Sequence, residues 1–303
     1  MRMANVGGRA ALVIGTDLVD IADASKGRFG PSPIDVLAAG LAVREWAGQL
    51  DPRGAGAAVV GRADHPHGWG PPVPTPRQVF GIGLNYRAHA AESGVPVPSA
   101  PVVFTKFVSC LTGPSAEVTL PAGGSVDWEV ELVVVIGSRC ERVSEDRAWD
   151  RVAGVMVGQD LSERTLQLAG PAPQFSLGKS YPGFGPVGPV LVSVDELSDP
   201  DDIGLGCALA DSLGEGEVLQ KGRTSDLIFP VPELIARLSA VCPLLPGDLI
   251  FTGTPAGVGM GRDPRRFLAA GQTLVSWADG VGELRNTLVA DPTVSGPGEK
   301  AGD

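Results

Sequence analysis

Two apolar runs rich in β-branched residues stand out in the middle of the chain. They are Val-Glu-Leu-Val-Val-Val-Ile over 130–136 and Val-Ala-Gly-Val-Met-Val-Gly-Gln over 152–159. Such runs predict buried strands. The first opens on the alternation Glu129-Val130-Glu131. Alternate strand residues share a face, so both carboxylates point one way and Val130 the other. Asp160 stands at the end of the second run. Elsewhere the pattern predicts strands over 10–14, 17–21, 79–84, 102–104 and 249–251, and a final pair over 273–277 and 283–289. Two antiparallel strands within 203–229 would join near 212–216. Helices are predicted from Pro33, with Ser32 as N-cap, through Gln49, from an Asn85 N-cap to a stop at Gly94, over 144–152, and over 231–240. The Gly- and Pro-rich stretch 54–76 divides a small N-terminal α/β unit (1–70) from a larger one (77–290), and the polar tail 291–303 is expected to be disordered.

Composition sharpens this to an α+β, β-rich fold. With 42 glycines, 27 prolines and 5% aromatic residues among 303, turns and short strands are favoured over a helical bundle. The net charge of −11, with no basic run, argues against nucleic acid as a partner. Four cysteines form no Cys-x-x-Cys pair and read as reduced thiols of a cytoplasmic protein. The apolar run 10–15 is too short for a signal-peptide core or a membrane span, so no membrane association is expected.

Candidate chemistry gathers at a few places. Glu129 and Glu131 beside a buried strand repel each other unless a cation lies between them, and Asp160 could close such a site. Three carboxylates without nearby Cys or His suit Mg2+, Mn2+ or Ca2+ rather than Zn2+. The plain alternative is a solvent-facing Glu-x-Glu pair. His89 and Glu92 fall at i and i+3 on the short helix, where a carboxylate raises the basicity of an imidazole; an ordinary exposed pair has the same spacing. Arg164 and Gln167 share a helix face. Lys106 and Lys179 border irregular segments and are either solvated or anion contacts. The turn 252–259 offers backbone N–H groups and the Thr254 hydroxyl to a carboxylate, or is merely structural.

Assembled in order, these stretches resemble the fumarylacetoacetate hydrolase superfamily. The residues carrying the resemblance are Gly83-Leu84-Asn85-Tyr86-x-x-His89-x-x-Glu92, Asp127-x-Glu129-x-Glu131-Leu132 and Gln159-Asp160-x-Ser162-x-Arg164-x-x-Gln167. They continue through Lys179, Gly188-Pro189, the stretch from Gly247 to Gly259, and Gly282-Glu283-Leu284-x-Asn286. The resemblance implies a mixed β-sandwich roll with a small N-terminal domain, assembled as a homodimer. It implies Mg2+ or Mn2+ on Glu129, Glu131 and Asp160, a catalytic dyad of His89 and Glu92, and catalytic contacts from Lys179 and Gln167. Tyr86, Arg87, Lys106, Arg164 and Thr254 would contact a small anionic 2-oxo acid. The chain departs from the family pattern at Pro182, where an Asp is usual three residues after the lysine, and at Thr165, where an acid is common.

The activity this implies is metal-dependent hydrolysis of a C–C bond in a 2,4-dioxo acid of acylpyruvate or fumarylpyruvate type. The alternative is isomerisation or decarboxylation of a 2-oxo acid at the same site. A third reading, motivated by Pro182 and Thr165, is a non-catalytic ligand-binding member.

Overall fold

The computed structural model describes residues 1–50, 58–64, 66–210 and 216–292. His65, most of the expected turn near 212–216 and nearly all of the expected tail fall outside the described residues.

Strand Val130–Ile136 is buried along its whole length. Its alternation divides that burial between two cores. Val130, Leu132, Val134 and Ile136 enter one, while Val133 and Val135 enter the other. Burial on both faces is what an unbroken apolar run encodes. This strand pairs antiparallel with Val152–Gln159, with Val130 opposite Gln159, and antiparallel with Leu249–Phe251. Leu249–Phe251 in turn runs parallel to Val79–Gly83. These directions bring the start of one strand and the ends of three others to one edge of the sheet. The segments carrying Glu129, Asp160, Thr254 and the His89–Glu92 helix leave the sheet there.

The large sheet runs in the order Val59–Arg62, Asp17–Asp20, Arg9–Ile14, Arg2–Val6, Gly185–Val192, Val152–Gln159, Val130–Ile136, Leu249–Phe251, Val79–Gly83, Val102–Thr105. The N-terminal strands join it where Arg2 and Met3 pair with Val192 and Leu191. A second sheet runs Gly216–Arg223, Gly204–Ala210, Thr273–Ala278, Gly282–Ala290, Glu117–Leu120. The sheets are laced by buried polar bonds. Gln159 Nε2 donates to Ser276 Oγ, and Gln220 Oε1 accepts from Val130 N, each at 2.9 Å. The fold is of the strand-rich α+β class that the pattern predicts, built on two main sheets. All four cysteines are free thiols. No described helix is long and apolar enough to cross a membrane.

Three local expectations are corrected. The helix from Pro33 breaks at Gly40, whose φ of +55° ends Pro33–Ala39 and begins Leu41–Gly48. The Ser32 cap itself is present, as a full capping box with Asp35. Segment 144–152 makes two 3-10 turns, Glu145–Arg147 and Trp149–Arg151, in place of a helix. Asn85 is no N-cap; Tyr86 takes that position without a side-chain bond. The Asn85 amide, fully buried, instead donates to the carbonyls of Thr252 and Phe229 and accepts from Phe229 N–H.

Candidate active site

The register of the two central strands sets Asp160 beside Glu129, with Asp160 N–H donating to the Glu129 carbonyl at 2.9 Å. Carboxylate oxygens of Glu129, Glu131 and Asp160 then lie within 4.8 Å of one another, and all three residues are buried. Asp127 is a fourth buried acid. Against these four stand three buried cations, Lys106, Arg164 and Lys179.

The pairing is uneven. Arg164 bridges Asp127 at 2.8 Å and Glu129 at 2.7 Å. Lys179 Nζ donates to Glu129 at 2.8 Å, to Asp160 at 2.7 Å and to Ser162 Oγ at 2.8 Å. Burial alone would push Glu129 up, but Lys179 and Arg164 outweigh it and hold the carboxyl at about 2. Glu131 makes no ion pair among the described residues; it accepts from Gly253 N–H at 2.7 Å, and Lys179 acts on it only from a distance. Burial, with Asp160 and Glu129 as like-charged neighbours, pushes its carboxyl well above the usual range. A buried acid without an ion-pair partner, beside two other buried carboxylates, is what a divalent cation relieves. The donor set is all oxygen, which fits a hard ion of the Mg2+ or Mn2+ kind. The three acids can therefore hold a metal.

Asp160 is fixed from behind. Lys106, wholly buried, donates to Asp160 Oδ1 at 2.7 Å and to the carbonyls of Lys179 and Phe184. Its position corrects the expectation of a substrate contact: its ammonium is spent holding a carboxylate and the lysine loop together. Lys106→Met should leave Asp160 one cation short and lower stability by about 3 kcal/mol, readable in denaturant unfolding. An unchanged midpoint would show that the buried contact contributes nothing.

The dyad is assembled by the parallel pairing of Val79–Gly83 with Leu249–Phe251. Leu84, at φ +55°, turns the chain from that strand into helix Arg87–Glu92. That backbone state costs a non-glycine residue about 1 kcal/mol. His89 Nδ1 lies 3.2 Å from Glu92 Oε2, and Gly257 N–H donates to Glu92 Oε1 at 3.0 Å. With Glu92 as acceptor, Nδ1 carries the proton and Nε2 is left free to accept one. Gly257 has φ +109°, and a Cβ there would meet the Leu219 carbonyl at 2.3 Å, so only glycine brings its N–H to Glu92.

A cavity of about 210 Å3 opens onto His89, Glu129, Arg164, Gln167, Lys179 and Thr254, so one pocket collects half of the expected residues. Gln167 Oε1 accepts from Arg164 Nη1 at 2.8 Å, which leaves its NH2 group to donate elsewhere. Gly178 lets the lysine loop close on Gln167, whose backbone N would lie 2.7 Å from a Cβ there.

Other expected contacts fall elsewhere. Tyr86 is fully buried, off the cavity wall, its hydroxyl without a partner and its ionisation pushed up by burial. Arg87 is exposed and lines no part of the cavity. The Thr254 hydroxyl donates to the Val130 carbonyl and accepts from Gln220, so its proton is not free for a carboxylate. Pro182 and Thr165 are exposed and off the cavity wall, which places both departures away from the site.

Residue reasoning missed the role of Asp127. It accepts from the N–H groups of Gly259 and Met260 while pairing Arg164, and so ties the glycine-rich turn to the site. Its signal was the same i, i+2 alternation that marked Glu129 and Glu131.

The family model described as fumarylacetoacetate (FAA) hydrolase C-terminal matches residues 78–289. A Burkholderia ambifaria protein named provisionally as a hydrolase is 48% identical over 206 residues, 67% of this chain and 71% of that one. A crystal structure of a Mycobacterium smegmatis protein assigned provisionally as HpcE is similar with TM-score 0.87 and 56% identity, over 96% of this chain and 99% of that one. Maleylpyruvate hydrolase from Sphingobium sp. SYK-6, solved with manganese(II) and pyruvate, is similar with TM-score 0.76 and 29% identity, over 96% and 99%. The chain belongs to the fumarylacetoacetate hydrolase family of enzymes.

Proposed function

We propose that the protein is a metal-dependent hydrolase of 2,4-dioxo acids of the acylpyruvate or fumarylpyruvate type. The observation that carries this reading is the shared cavity, where His89, bonded to Glu92 behind it, opens onto the same space as Glu129, Lys179 and Gln167. A hydrolase needs an activated base beside an electrophilic site, whereas a ligand-binding module does not.

Glu129, Glu131 and Asp160 would hold Mg2+ or Mn2+, which supplies positive charge for the 2-oxo carboxylate and for the enolate that develops. His89 Nε2 takes a proton from water, and the hydroxide adds to the distal carbonyl. The NH2 group of Gln167 donates to the oxyanion, and the Lys179 ammonium, its three protons engaged by Glu129, Asp160 and Ser162, adds positive charge nearby without a direct bond. The bond between C3 and C4 breaks, its electron pair stays on C3, and His89 returns its proton there. The balance is RCOCH2COCOO− + H2O → RCOO− + H+ + CH3COCOO−.

The test is turnover of acetylpyruvate and fumarylpyruvate with Mg2+ or Mn2+, before and after EDTA. Pyruvate plus the free acid, abolished by chelation, is expected from at least one of the two. The 56% identity to the HpcE-assigned protein favours a second reading, isomerisation at the same residues. Ketonisation of an unsaturated 2-hydroxy-dienedioate, or CO2 release from oxaloacetate, with no acyl cleavage would replace the hydrolase reading.

A further inference from the structure

We infer that the acyl end of the substrate is uncharged and apolar. This rests on the hydrolase reading, which sets the 2-oxo carboxylate at the carboxylate cluster and sends the rest of the molecule along the remaining wall. That wall includes Leu84, Val95, Phe104, Leu168 and Phe175. Phe104 and Phe175 meet edge to face with centroids 5.8 Å apart. Ser93 is the polar residue among these side chains.

The charges of the cations on the described wall are answered by carboxylates of the site. Arg164 is divided between Asp127 and Glu129, and its Nη1 donates to Gln167. Lys179 gives its three protons to Glu129, Asp160 and Ser162, and its ammonium lies 5.0 Å above the Phe104 ring, at the carboxylate end. Arg87 sits two residues before His89, roughly opposite it around the helix, and is exposed. A second carboxylate set against Leu84, Leu168 and Phe175 would give up part of its hydration with no unpaired cation there in exchange. An alkyl or aryl group gains by the same burial, about fourfold in affinity for each fully buried methylene.

Calorimetry on the full chain with Mn2+ decides this, using 2-oxohexanoate and 2-oxoadipate, which differ at C6 by methyl against carboxylate. The monoacid should bind at least about tenfold more tightly, and Leu168→Arg, at a half-exposed position on the rim, should narrow or reverse the ratio. Equal affinities, two undetectable ones included, or a preference for the diacid would overturn the inference. Failure of the hydrolase reading looks different: no dioxo acid would release pyruvate, whatever the binding ratio.

Discussion

Glu131→Gln should reduce Mn2+ affinity by about 1,000-fold, since partners one step removed from a metal already cost about 10–100-fold when mutated. The same change should raise the melting temperature of the metal-free protein. Like charges about 5 Å apart at an effective dielectric near 20 repel by roughly 3 kcal/mol. Glu131 meets Glu129 and Asp160 within 4.8 Å and has no cation of its own. Its raised carboxyl is the molecule's way of avoiding that charge. The amide keeps an oxygen for Gly253 N–H and removes the ionisable group. A gain of about 1 kcal/mol corresponds to roughly 2 °C in a chain of this size. Calorimetric titration and thermal unfolding on EDTA-treated protein check the two halves separately. Unchanged Mn2+ affinity would remove Glu131 from the ligand set, and a lower metal-free melting temperature would refute the account of its burial.

Much of this centre is legible without coordinates, for a definite reason. A two-residue alternation running into an unbroken β-branched run specifies strand and shared face, so Glu129 and Glu131 are readable as neighbours, while their burial against a solvent-facing pair is settled only by the packing. Asp160 was readable because the second strand ends at it. What the pattern does not carry is which face of a buried polar residue is answered, and by whom. Lys106 and Lys179 look alike in sequence, each a lysine after a short apolar stretch. Only the packing shows Lys106 sealed behind Asp160 and Lys179 on the cavity wall. Asn85 had the composition of a cap, yet the long-range partners Thr252 and Phe229 claim its amide. Tertiary bonds overrode the local preference there. Gly40 shows the converse, a local signal underweighted: the helical spacing continued across it, but one residue at φ +55° was enough to split the helix.

His89→Gln should lower kcat by about 1,000-fold while leaving Mn2+ affinity within about twofold, in line with the 10²–10⁴ that a positioned base contributes. The two effects separate because of where His89 stands. It lines the cavity and bonds Glu92, and it is outside the trio of carboxylates that can hold the ion. Glu92→Gln should fall between the variant and the native protein. The glutamine oxygen can still accept from Gly257 N–H, but it no longer places a negative charge beside Nδ1. The imidazole then loses its electrostatic support and one of its orientations is no longer preferred. Pre-steady-state turnover on protein matched for bound Mn2+ gives kcat for both variants without confusion from metal loss. If His89→Gln kept its kcat, the proton would have to leave water by another route, and no other group of suitable chemistry is described on the cavity wall. If kcat and Mn2+ affinity fell together, His89 would be supporting the metal centre and the division between base and cation site would be wrong. A fall in kcat alone is the signature of a group whose interaction exists in the transition state and is absent from ion binding.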